Sequence, residues 1–103
     1  MAEIDVVFAN QILNEVVNGF RIPRFEETLG ATHTSARELL AKVHAAAVRR
    51  GGDTQTFIFS EEETRFFRRA LLATLDELGE DEFETRTGYP LEEGQKKLAG
   101  LPE

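Results

Sequence analysis

At 103 residues the chain fits one domain, with room to bury somewhat over about 60% of the surface it exposes when unfolded. It contains no cysteine, which excludes disulfides, thiolate zinc sites and a thiol nucleophile. Its formal net charge of −7 argues against non-specific nucleic-acid binding, where phosphate neutralisation dominates the affinity.

The first element is expected over about Asp5 to Phe20. On a helical wheel Phe8, Ala9, Ile12, Leu13, Val16, Val17 and Phe20 share one broad apolar face, while Asn10, Gln11, Asn14, Glu15, Asn18 and Arg21 occupy the other side. The start reads two ways, since Ile4-Asp5-Val6-Val7-Phe8 is rich in β-formers and also suits a short strand. Gly19 is expected to weaken the last turn.

Ile22 to Gly30 reads as a short helix, with Pro23 in the first helical position, acids in the first turn and glycine just past the end. Phe25 and Leu29, four apart, form its buried edge. A third helix is expected from the Ser35 and Glu38 capping-box spacing, with Leu39, Leu40, Val43, Ala46 and Ala47 as the buried stripe and Arg49-Arg50-Gly51-Gly52 at its close. Gly51-Gly52-Asp53 reads as a turn and residues 55–59 as a short strand centred on Thr56–Phe59.

Ser60 and Glu63 make a second capping box, opening a helix to about Leu78 with Phe67, Leu71, Leu75 and Leu78 on one stripe. From about residue 76 the chain turns acidic, and Phe83 is the single apolar anchor of residues 80–84. Thr87-Gly88-Tyr89-Pro90 reads as a turn, and Pro90 as the start of a last helix through Leu98. Residues 87–93, Thr87-Gly88-Tyr89-Pro90-Leu91-Glu92-Glu93, resemble the loop that opens ubiquitin-associated domains, a glycine–aromatic pair ahead of a helix. The likeness is confined to that stretch and carries no function across.

The fold expected from these elements is mostly α: a single domain over residues 1–103, a bundle of four to five helices with one short strand. A lone strand leaves backbone groups unpaired, so it needs a partner, either Ile4–Phe8 or the same segment of a second molecule. The apolar content of the first and fourth helices exceeds one face, and both features favour a homo-oligomer. The amino terminus carries Glu3 and Asp5 where a secretory signal needs bases, and the apolar stretch behind it breaks at Asn10 and Gln11, far short of the roughly 20 residues of a membrane span. A cytoplasmic protein without membrane contact is expected.

Charge is unevenly spread. Residues 1–20 carry Glu3, Asp5 and Glu15 with no base. Residues 21–50 hold Arg21, Arg24, Arg37, Lys42, Arg49 and Arg50 against three glutamates, and residues 51–103 hold six bases against thirteen acids. Three constellations stand out. Asn10, Asn14 and Asn18 recur every four residues as an uncharged amide stripe, suited to a hydrogen-bonding contact surface or to simple solvation. Arg65, Arg68 and Arg69 cluster on the polar side of the fourth helix, where Arg65 follows Glu61 by four and the other two suit the acidic tail or an anionic ligand. Residues 22–50 have the outline of a helix–turn–helix, with Leu29-Gly30-Ala31 as the turn and Arg37, Lys42 and Arg49 on the second helix. Glu26, however, stands where such motifs resemble one another in packing a small apolar residue.

His33 and His44 lack a partner at metal-ligand spacing on the same helix, the acids at 80–84 lack the ligand pattern of a calcium loop, and no phosphate-cradling glycine loop or nucleophile elbow occurs. No catalytic residue, metal or cofactor is therefore assigned. The first-ranked reading is a non-catalytic protein-binding or regulatory module with another protein, of basic character, as partner. A helix–turn–helix regulator ranks second, and an enzyme acting on a small anion through the arginines third.

Overall fold

The apolar run at the amino terminus divides at Asp5, because that residue serves two elements at once. Its side chain accepts hydrogen bonds from the backbone N–H groups of Val7 (2.9 Å) and Phe8 (3.1 Å), satisfying two of the donors that a helix start leaves over. Ala2–Asp5 accordingly form strand β1, and Val6–Asn14 form helix α1. The computed structural model describes residues 2–49 and 56–102. Within them β2 (Thr56–Phe59) lies antiparallel to β1, with Ala2 opposite Phe59 and Asp5 opposite Thr56. The expected strand thus pairs inside the chain, with a segment beginning two residues before Ile4–Phe8. The Gly51-Gly52-Asp53 turn lies outside the described residues, as does Arg50.

The other helices are α2 (Phe25–Leu29), α3 (His33–Arg49), α4 (Glu61–Glu77), α5 (Glu80–Thr87) and α6 (Leu91–Ala99). The mostly-α small bundle expected from the sequence is the fold observed. Its helices number six among the described residues, because the acidic stretch after Gly79 is itself helical. Glu80, Asp81 and Glu82 fill the first turn of α5, where the helix dipole favours acids, and Phe83 and Thr87 form a buried edge four residues apart.

Capping fixes the starts of α4 and α3, the first as expected and the second shifted. Ser60 and Glu63 form the expected reciprocal box, with Glu63 N–H donating to Ser60 Oγ at 3.1 Å and Ser60 N–H to Glu63 Oε1 at 2.8 Å. The box expected at Ser35 and Glu38 is not formed. Thr32 is the cap instead: its hydroxyl accepts from the Ser35 N–H at 3.1 Å and its carbonyl from the Ala36 N–H at 3.0 Å. Ala36, Leu39 and Val43 form one buried line along the helix that this cap opens. Pro23 stands ahead of α2 rather than in it, since Arg24 adopts a left-handed φ of 53° immediately before Phe25.

The central element is α1. It packs against α3, α4 and α5, so Phe8, Ala9, Ile12 and Leu13 are all fully buried although they span more than one face. In α4 the exposed large apolar residue is Leu72; Phe67, Ala70 and Leu71 are fully buried. Both features on which the sequence rests its expectation of a homo-oligomer are thus largely satisfied within one chain. Phe67 joins the elements: its ring lies 6.3 Å from Phe8 and 5.1 Å from Phe59. Helix α6 closes on α4 and α5 at Gly94, where a Cβ would stand 2.7 Å from Cζ of buried Phe83 and 3.1 Å from Leu75. Glycine here serves close approach. Among the described residues no helix is long and apolar enough to cross a membrane.

Tyr89, in the turn between α5 and α6, sets its ring edge-on to Phe8 with centroids 4.9 Å apart. Burial raises its phenol above the usual value of 10.0, and the negative charges of Asp5 and Glu93 add to the effect. A pKa raised by folding means that the stability linked to the neutral phenol is complete below the unfolded value and lost as pH rises through the folded one. Urea unfolding of wild type and Tyr89→Phe should therefore diverge above about pH 10, with the variant retaining more of its neutral-pH stability. Parallel losses would mean that Tyr89 ionises as freely in the folded chain as in the unfolded one.

Candidate functional site

One carboxylate on the supposed polar side of α1 is buried. Glu15 opens a π-helical turn, Glu15–Gly19, that continues α1 and departs from the 3.6-residue period on which the wheel places it outside. Its side chain is 7% exposed and meets Arg86 of α5, with Nε 2.9 Å from Oε1. Arg86 Nη2 also donates to the Gly19 carbonyl at 2.8 Å. Gly19 has no room for a side chain: a Cβ would lie 2.6 Å from Glu15 Oε1 and 3.0 Å from Arg86 Nη2. The glycine that the sequence suggests as a weak point is the space in which this ion pair sits. His33, at the start of α3, ties down the same turn by donating from Nε2 to the Val17 carbonyl at 3.1 Å, and its ring stands edge-on to Phe25.

This turn forms one end of a groove between α1 and α3. Asn10, Gln11, Asn14, Val17 and Asn18 make one wall; Arg37, Leu40, Ala41 and His44 make the other, around a volume of about 500 Å³. All three asparagines of the amide stripe are therefore brought together with Arg37. Asn18 Nδ2 donates to Asn14 Oδ1 at 3.1 Å, while Asn10 Oδ1 is buried without a hydrogen-bond partner. Arg37 carries the one formal charge in the lining, and no carboxylate faces the groove among the described residues that form it. The sequence shows the amide stripe but not its neighbours. Arg37, Leu40, Ala41 and His44 share a face of α3 by their spacing of three, four and seven, yet spacing within one helix does not say which other helix that face meets.

The remaining candidates separate. Lys42 lies on the other flank of α3, with Nζ 3.8 Å from Oε2 of Glu63 in α4, so it does not share a face with Arg37. The Arg49 side chain lies outside the described residues. Arg65 pairs with Glu61 at 3.3 Å, on the surface. Arg65 and Arg69 line a small groove of about 160 Å³ beside Leu29 and Gly30, with Glu62 among them; Arg68 is half-buried and does not line it. Among the described residues no group of three or more histidine, aspartate or glutamate side chains gathers where a metal ion would be held.

No protein-family model matches the chain, and neither a curated protein nor a solved structure is significantly similar to it.

Proposed function

We propose that the chain is a non-catalytic protein-binding module and that the groove between α1 and α3 is its docking face. The observation that supports this reading is the meeting of the amide stripe with Arg37 around an open, acid-free groove on a protein of net charge −7. Side-chain amides offer donors and acceptors without a charge to desolvate, which suits contact with another chain. The helix–turn–helix alternative has less support, because it needs Arg37, Lys42 and Arg49 on one face, and Arg37 and Lys42 lie on opposite flanks of α3. The anion-binding enzyme has less again, since Glu62 stands in the groove that Arg65 and Arg69 share.

Site-specific photo-crosslinking in the native cell tests the reading. A benzoylphenylalanine at Gln11 or Ala41, in the groove, should give a discrete protein adduct; the same group at Leu72, exposed on α4 and outside the groove lining, should not. Adducts of equal yield at all three positions, or adducts to nucleic acid at the groove, would overturn it.

A further inference from the structure

The groove has a chemistry that says what kind of segment would lie in it. Each peptide unit of a protein chain carries one N–H donor and one carbonyl acceptor, and a primary amide carries the matching pair. Four residues of helix advance about 6 Å, so amides at Asn10 and Asn14 repeat close to the roughly 6.6–6.8 Å between alternate residues of an extended strand. The bond between Asn14 and Asn18 uses one donor and one acceptor, leaving an N–H of Asn14 and the oxygen of Asn18 for a second chain. Asn10 Oδ1, buried without a donor, is a group whose pairing with an incoming N–H offsets the cost of drawing the amide outward. Opposite this ladder, Arg37 is exposed, makes no ion pair among the described residues, and faces no carboxylate across the groove.

We infer that the groove takes an extended acidic peptide segment, its main chain held by the Asn10–Asn14–Asn18 amides and an Asp or Glu side chain held by Arg37. This rests on the docking-face reading above and names the occupant: about two residues of strand-like chain cover the roughly 6 Å from Asn10 to Asn14, and the π-helical turn carries Asn18 beyond them. Charge complementarity selects the acid. On an acidic protein a basic partner finds carboxylates over most of the surface, whereas this groove offers a guanidinium with no competing anion. The general expectation of a basic partner is thereby reversed for this face.

Panning a random dodecapeptide library displayed on phage against the full-length chain tests the occupant without presupposing it. The expected result is enrichment of peptides that share one Asp or Glu among strand-forming residues. Binding of the corresponding synthetic peptide should weaken about tenfold on Arg37→Glu and on replacement of its acid by alanine, as loss of a charge-assisted hydrogen bond would produce. Methylation of a central peptide nitrogen should weaken it to a similar degree, and Asn14→Ala several-fold; far-UV circular dichroism confirms that these surface substitutions leave the fold intact. Selected peptides that are basic or amphipathic-helical, yet still depend on Arg37 and Asn14, overturn this occupant while leaving the docking face standing. Selected peptides indifferent to Arg37→Glu and Asn14→Ala overturn both. No enrichment, or a second copy of the chain crosslinked through the groove, also overturns the peptide assignment.

Discussion

Arg86→Met should destabilise the chain by about 3 kcal/mol, the lower end of the range for removing one partner of a buried pair, because Arg86 is 30% exposed and water reaches its vacated place. The substitution leaves the Glu15 carboxylate, 7% exposed, without its cation, and removes the donor to the Gly19 carbonyl. The paired change Glu15→Met with Arg86→Met should recover most of the loss, since two apolar side chains of similar size leave neither desolvated charge nor unpaired partner. Urea unfolding of the two single variants and the double variant measures the coupling directly. Additive losses would mean that the ion pair contributes nothing as a pair and that the π-helical turn is held by other contacts.

Leu71→Ala should cost about 2–5 kcal/mol and Leu72→Ala less than about 1 kcal/mol, although the two residues are adjacent. Leu71 is fully buried in α4 against the central core, so truncation removes transfer energy and leaves a cavity. Leu72 is 43% exposed, on the side of the helix that carries Glu61, Arg65 and Asp76. Equal midpoints in denaturant for the two variants would place α4 in a different rotation from the one described and would disarrange the Phe8–Phe59–Phe67 cluster with it.

The orientation of α4 was legible in the sequence because its period is regular and its start is marked by a box of two residues three apart. The Ser60 start is legible to the residue, whereas the α3 start falls not at Ser35 but three positions earlier, where Thr32 offers an equivalent hydroxyl that accepts from the Ser35 N–H. Residues 80–87 showed no apolar period beyond Phe83; their helix depends on acids at its positive end and on the long-range bond of Arg86 to Glu15, and neither the partner nor the burial of Glu15 is visible from spacing. The amide stripe could be read, because Asn10, Asn14 and Asn18 recur at helical spacing. The groove could not, because it exists only where α1 and α3 meet, and the basic cluster of Arg37 and Lys42 divides across the two flanks of one helix.

The docking face is tested most directly by titrating the isotopically labelled chain with a phage-selected peptide and following its backbone and side-chain amide resonances. The side-chain NH₂ signals of Asn10, Asn14 and Asn18 and the Nε–H of Arg37 are expected to move together, with backbone shifts concentrated in residues 10–18 and 37–44. Shifts concentrated instead in α4 or α5, with those four side chains unmoved, would contradict it.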